Sequence, residues 1–307
     1  MKPDFFTNNR HIALLALTAC LLWGSAFPAV KYGYALLAIA SDDPASQLVF
    51  AGVRFSLAGL MVLLFALWRG RPIFAFSTGD WLKLAGLGLT MTTFQYVFFY
   101  LGLAHTTGVK GAILSATGIF FSVIISHFLF RNDRLNVYTA GGCLVGFLGV
   151  VVVNSGALDT GFSFQIRGEG FLIAASLINA VGNIYGKILS QSVNPMIMTG
   201  WQLFLGGLVL TGLGMAGGGG LGHINSTGAV LLAYMAFLSA AAFVIYAELM
   251  KLNPVSRVSV FSFSIPLFGA GLSAFFLGER LFELKNLTAL ILVSGGIWLV
   301  TVRGRRT

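Results

Sequence analysis

Residues 128–154 read FLFRNDRLNVYTAGGCLVGFLGVVVVN, and residues 275–301 read FFLGERLFELKNLTALILVSGGIWLVT. Setting Asp133-Arg134-Leu135 on Glu279-Arg280-Leu281 also places Gly149 on Gly295 at the same offset. Each segment closes one apolar run, turns through charges and opens another. The two stretches therefore mark equivalent points of an internal duplication, and the rest of the chain can be counted outward from them.

Around these points, apolar stretches of roughly 18 to 24 residues recur along all 307 residues, separated by short segments that hold the charges, Asn, Pro and Gly. The chain is 57% hydrophobic and 9% charged, whereas a soluble domain is about 25% charged. Such a chain cannot cover a water-facing surface, and each run matches the ~20 residues that cross ~30 Å of hydrocarbon as a helix. Ten spans are predicted, at roughly 12–34, 48–68, 82–104, 109–130, 137–154, 170–190, 197–215, 228–250, 257–277 and 286–302. Five spans per half is an odd number, so the second half inserts upside down relative to the first. The fold class is an all-α integral membrane protein of ten transmembrane helices in two inverted five-helix repeats, the plan of many alternating-access transporters.

The expected organisation is an N-terminal tail (1–11), a first repeat (12–154), a connecting loop (155–169), a second repeat (170–302) and a basic tail (303–307). Ten spans put both termini on one side. On that side fall 13 Lys and Arg, against 5 on the other, with Arg54 inside a span. Basic residues favour the cytoplasmic side, so both termini are expected there, in a multi-pass protein of the cell membrane, most simply a bacterial inner membrane. Lys2 and Arg10 before an apolar run resemble a signal peptide, but removing that run would leave half a repeat, so it is read as span one.

Several function classes lack their residues. The net charge of +9 is scattered among loops and the C-terminal RGRR and is not grouped with base-stacking aromatics, so no nucleic-acid partner is expected. Cys20 and Cys143 both lie inside apolar spans and serve packing. His11, His105, His127 and His223 are dispersed, with no HExxH and no paired intramembrane acids, so neither a metal nor a cofactor is expected. No P-loop occurs, and GGGG at 217–220 lacks the strand-turn-helix setting of a phosphate cradle. A membrane-embedded enzyme or a scaffold stands as the alternative of a different class.

WGSAFPAVK (23–31) with the preceding LL, VRFSLAGL (53–60), and SIPLFGAGLSAFFLGERL (264–281) leading into GGIWLVTV occur in an order and spacing that resemble the EamA family of the drug/metabolite transporter superfamily. The resemblance covers residues from about 12 to 302. It implies ten helices in two inverted halves and export of small metabolites, often amino acids or nucleobase-like compounds. Phe120 stands where the family usually has proline in span four, Asp133 replaces the usual Glu and Arg131-Asn132 the usual Leu-Gly, while Pro266 keeps its spacing before Glu279. A bend is therefore expected in span nine, and span four lacks the proline that would bend it in the same way.

Charges inside the hydrocarbon are costly and so informative. Lys31 and Arg54 are placed near the outer ends of their spans as outer-vestibule charges, which leaves no ionisable group at the midplane and points to a neutral, zwitterionic or largely apolar substrate. Uncharged polar residues recur at helical spacing instead. Asn179 and Asn183 share a face of span six, with Ser176; Gln95, Tyr96 and Phe99 share one of span three; span seven brings Trp201 and Gln202, and span eight Ser239, Phe243 and Tyr246. These faces, with Trp23 and Ser115, are the candidate cavity lining, against the plainer reading that they hydrogen-bond or pack between helices. Gly24 and Pro28 form a candidate hinge in span one, because Pro28 frees the Gly24 carbonyl from its helical bond, and Pro266 forms one in span nine. Small-residue stripes in spans four and nine read as an inter-half contact, and Gly142, Gly146 and Gly149 in span five as packing or homodimerisation. The expected partners are a small-molecule substrate, the lipid bilayer and, if span five dimerises, a second copy. The expected function is secondary-active export of amino acids or related compounds, with nucleoside, purine or drug-like compounds as the alternative cargo.

Overall fold

A computed structural model of the chain describes residues 8–129, 137–154, 164–222, 224–253, 258 and 260–299. The turn at Asp133 with its Arg131-Asn132 neighbours, His223, Ser259, residues 155–163 of the connecting loop and the tail 303–307 lie outside the described residues. Regular structure among the described residues is helical throughout. Among the described residues seven helices are long and apolar enough to cross a membrane, and three more are apolar but shorter.

In chain order these are α1 (Asn9–Leu36), α2 (Pro44–Trp68), α3 (Thr78–Ala104), α4 (Gly108–Leu129) and α5 (Val137–Asn154) in the first half. The second half holds α6 (Ile166–Leu189), α7 (Pro195–Ala216), α8 (Ser226–Leu252), α9 (Ser264–Leu277, entered through a 3-10 turn at Val260–Phe263) and α10 (Leu284–Trp298). The duplication is visible in local chemistry. Asp43 accepts from the Ser46 N–H before Pro44 begins α2, and Asn194 accepts from the Met196 N–H before Pro195 begins α7. An Asx cap followed by proline in the first turn pre-sets a helix start, which is why α2 begins four residues before the 48 expected from hydropathy.

Helix association in lipid gains little from the hydrophobic effect and rests on close packing. Glycine supplies that closeness where the halves meet. Along α2 and α7, a Cβ at Gly59 would come within 2.7 Å of the Gly200 carbonyl oxygen, and one at Gly207 within 2.9 Å of the Gly52 carbonyl oxygen. The pair α5 and α10 repeats this, with a Cβ at Gly149 2.9 Å from the Ala289 oxygen and one at Gly296 2.6 Å from that of Gly142. The span-five glycines therefore pack against α10 of the same chain. The small-residue faces of α4 and α9 also meet, since a Cβ at Gly269 would sit 2.7 Å from that of Ala112.

Among the described residues, three irregularities fall inside spans. In α3, residues Leu89–Phe94 form a π-helical stretch, and the Gln95 N–H reaches back five residues to the Thr90 carbonyl. In α4 the helix breaks at Ala116 between Gly108–Ser115 and Thr117–Leu129. Span four thus departs from a regular helix without a proline at position 120. Phe120 is fully buried there, its ring filling the space left by Gly146 and lying 5.6 Å from Phe147. In α6 the first turn, Ile166–Gly170, is also π-helical, so the helix starts four residues earlier than the hydropathy boundary at 170.

Candidate functional site

The π-helical stretch of α3 and the broken α4 flank the same part of α6. Gln95 follows the wide turn of α3, and its Oε1 accepts from Asn179 Nδ2 at 3.1 Å. Asn179 Oδ1 in turn accepts from Asn183 Nδ2 at 2.8 Å, one turn along α6. Asn179 stands 13 residues after Ile166 and 10 before Leu189, the ends of α6, so this amide chain lies at mid-span. Ser176, one turn earlier, donates to the Leu172 carbonyl at 2.8 Å and to the Ser115 carbonyl at 3.3 Å, at the break in α4. π-bulges and interrupted helices at the midplane are frequent settings for binding. Thr92 Oγ1 and Ser115 Oγ, beside these elements, are buried with no hydrogen-bond partner.

An aromatic wall adjoins the amides. The Tyr96 ring lies 4.0 Å from Phe55, 5.8 Å from Phe99 and 6.2 Å from Tyr100, centroid to centroid, and Phe99 lies 5.7 Å from Phe27 of α1. Behind Tyr100 stands Arg54, 3% exposed. Its Nη1 donates to the Tyr100 hydroxyl at 2.8 Å, its Nη2 and Nε to Ser239 Oγ at 2.9 and 3.1 Å, and Nε also to the Met235 carbonyl at 3.3 Å. The guanidinium carbon sits 4.8 Å from the centre of the Phe55 ring, where the ring quadrupole favours a cation.

At the far face, where α1 and α3 end and α4 begins, a cavity of about 530 Å³ is lined by Lys31, His105, Thr106, Lys110, Gln165 and Glu169, among others. Glu169 is 3% exposed and accepts from Lys110 Nζ at 3.1 Å, Thr106 Oγ1 at 3.2 Å and the Gln165 N–H at 2.8 Å. Lys31 Nζ donates to the Leu103 carbonyl at 3.1 Å. Next to this cavity the N–H groups of Gly108 and Val109, which open α4, each donate to the Glu279 carboxylate at 2.7 Å. Among the described residues no three His, Cys, Asp or Glu side chains gather as metal ligands would. The arrangement offers hydrogen bonds, ring faces and charge, the means of non-covalent recognition.

Residues 11–155 and 166–302 each match the EamA-like transporter family. The chain belongs to that family. Its members are transporters, which removes the membrane-embedded enzyme from consideration. Among relatives of this EamA-like transporter, a protein of Escherichia coli named "Probable amino-acid metabolite efflux pump" is 27% identical over 300 residues, covering 94% of each chain. An uncharacterized transporter of Archaeoglobus fulgidus is 26% identical over 299 residues, covering 96% of this chain and 99% of its own. A WAT1-related chloroplastic protein of Arabidopsis thaliana is 24% identical over 274 residues, covering 86% of this chain, and the match spans 65% of its length. One crystal structure superposes with a TM-score of 0.70 at 19% identity, covering 97% of this chain and 99% of the other, and shares the fold.

The EamA-like transporter brings some of the expected lining residues together and separates others. Gln95, Tyr96, Phe99, Asn179 and Asn183 form one connected group, with Ser115 reached through Ser176. Trp23 and Tyr246 pair at 5.0 Å, with Phe243 5.4 Å from Trp23, as a second group between α1 and α8. Trp201 stands apart: its Nε1 donates to the Ile73 carbonyl at 2.8 Å and its ring lies 4.7 Å from Trp81, an aromatic packing cluster near the start of α7. Gln202 is buried beside Gly88 of α3, its Nε2 without a partner. α1 runs unbroken through Pro28, and Gly24 sits where α1 crosses α9, since a Cβ there would lie 2.7 Å from that of Phe268. Pro266 is buried within the first turn of α9.

The two expected vestibule charges part company. Lys31 lines the cavity at the far face. Arg54 does not: it stands 10 residues after Pro44 and 14 before Trp68 in α2, and it bonds Ser239, which lies 13 residues from both Ser226 and Leu252 in α8. A buried ionisable side chain therefore lies inside the bundle, between the last turn of α3, which holds Tyr100, and the middle of α8, which holds Ser239, deeper than the expectation from hydropathy. The longer α2 and the neutral oxygens of α3 and α8 account for the difference. Tyr100 is the residue that sequence reasoning passed over; its position four after Tyr96, on the same helical face, was the available signal.

Proposed function

We propose that this EamA-like transporter is a secondary-active exporter of small neutral or zwitterionic metabolites, amino acids foremost, with both termini in the cytoplasm. The observation that carries this reading is the connected chain Gln95, Asn179 and Asn183 at mid-span beside the break in α4. Amides that donate and accept suit a polar solute of either sign, and the Tyr96 and Phe99 rings suit an apolar body next to it. The efflux-pump name of the Escherichia coli relative agrees with that cargo. Alternating access would come from rocking of one five-helix half against the other about the glycine-rich α2 and α7 contact. The same ring faces would stack a nucleobase, so a nucleoside or purine is the second cargo to test.

The test is counterflow of labelled amino acids in sealed liposomes carrying the purified full-length protein. Uptake that saturates and is competed by unlabelled hydrophobic amino acids is the expected result. Flux of nucleosides with no amino-acid flux would transfer the assignment to the second cargo, and no flux across both panels would overturn the reading.

A further inference from the structure

We propose that Arg54 is the anion-recognition element of the transport path and takes the carboxylate of the cargo. This rests on the exporter reading above for the route by which cargo reaches it. The guanidinium stays charged at any physiological pH, and a charge buried within the helix bundle is costly unless an anion or a function keeps it there. Its partners are all neutral: the Ser239 hydroxyl, the Met235 carbonyl and the Tyr100 hydroxyl. The ion pairs among the described residues form elsewhere, on Asp80, Glu169 and Glu283. Glu279 is engaged as the cap of α4.

The donor inventory points the same way. A guanidinium has five N–H groups; here Nε is used, and one N–H on each terminal nitrogen is used, by Ser239 and by Tyr100. One N–H on each terminal nitrogen is left over, and two such donors are what a carboxylate engages in a fork. The Tyr100 hydroxyl accepts from Arg54 and keeps its own proton to donate. The spare N–H groups of the two terminal nitrogens and the Tyr100 hydroxyl proton thus make two or three charge-assisted bonds available to an anion, beside the Phe55 and Tyr96 rings. The ligand class is a small organic carboxylate with an apolar or aromatic body. In this state Tyr34 and Phe50 lie against Tyr100, 6.3 and 6.1 Å between ring centres, on the side of the far face. Arg54 is covered until the halves move, so recognition is tied to the transport cycle.

The experiment uses two acid and amide pairs as probes, phenylacetate with phenylacetamide and phenylalanine with phenylalaninamide. Binding is read by ligand-induced thermal stabilisation of the purified full-length protein, and flux in liposomes. The wild type is expected to prefer at least one acid over its amide by about tenfold or more. In Arg54→Gln that ratio is expected to fall close to one, with Arg54→Lys keeping part of it. Tyr100→Phe, which preserves the ring, is expected to lower the ratio severalfold and keeps the proposal testable if Arg54→Gln does not fold. Equal binding of acid and amide by the wild type overturns the proposal, as does an acid preference that survives in both Arg54→Lys and Tyr100→Phe at the wild-type ratio. Phenylacetate preference without phenylalanine transport overturns the amino-acid reading and leaves this one standing. Phenylalanine transport with no acid preference does the reverse.

Discussion

The carboxylate of Glu279, two residues past the end of α9, caps the helix that begins at Gly108, with the Gly108 and Val109 N–H groups both donating at 2.7 Å. One half of the duplication thus supplies the cap for a helix of the other. A carboxylate at a helix N-terminus meets unpaired N–H groups and the positive end of the helix dipole, so the contact ties the halves at the far face, where α4 begins.

Replacing Glu279 by Ala removes both bonds. The loss is expected to be about 1–3 kcal/mol, read as a lower thermal midpoint in detergent. Because the contact joins the halves, a Thr107→Cys reporter should also react faster with a membrane-impermeant maleimide in the Glu279→Ala background. Cys20 and Cys143 are buried and give a low background. An unchanged midpoint and an unchanged labelling rate would show that the cap ties nothing.

The glycine contact between α2 and α7 predicts position-specific sensitivity. Gly59→Ala forces a methyl group to within 2.7 Å of the Gly200 carbonyl oxygen, whereas a Cβ at Gly212 of α7 meets nothing within 4 Å. Overpacking of this kind costs about 1–3 kcal/mol. Gly59→Ala should lower both the yield of folded protein and its thermal midpoint, and Gly212→Ala should change neither. Equal behaviour of the two variants would contradict the close crossing.

The amide chain predicts a graded loss of flux. Gln95→Ala and Asn183→Ala each remove one end of it, and Asn179→Ala removes the link between them. Each single loss should cut flux by about tenfold, the effect of roughly one lost hydrogen bond to the cargo, with Asn179→Ala at least as severe. Expression and thermal midpoint should change little for Asn183, which is exposed. Normal flux in both Gln95→Ala and Asn183→Ala would remove these faces from the transport path.

Asp43 gives a pH-dependent signature outside the membrane. The Ser46 N–H holds its carboxylate below the ordinary range. A depressed folded-state value means that its contribution is fully present above the unfolded value of about 3.9 and is lost as pH falls through the folded one. Asp43→Ala should therefore be less stable than the wild type by about 0.5–2 kcal/mol near neutral pH. The gap should begin to narrow below roughly pH 4 and go on closing as the folded-state carboxylate takes up its proton. A gap that stayed constant throughout the acid titration would assign the effect to something other than the charged cap.

Much of the architecture was legible because hydropathy has a length scale. A run of apolar residues must match the bilayer, so ten runs meant ten helices, and the offset shared by Asp133 with Glu279 and Gly149 with Gly295 exposed the duplication. The Asn179 and Asn183 face was readable for the same reason, since steps of four residues define one side of a helix. The start of α2 was not, because Asp43 and Pro44 set it by capping, which a hydropathy window averages away. The wide turn at Leu89–Phe94 and the break at Ala116 left no proline to announce them.

The chain by itself determined the membrane class, the ten spans and the inverted repeat, all of which follow from composition and from periodicity along one dimension. Only the tertiary structure decided what each polar side chain faces. Arg54 looked like an outer charge until α8 supplied Ser239 and Met235 and α3 supplied Tyr100. Trp201 looked like cavity lining until Ile73 and Trp81 closed around it. The physical reason is that a charge or an amide in a membrane protein is tolerated according to its partners, and those partners come from helices 46 to 185 residues away in sequence.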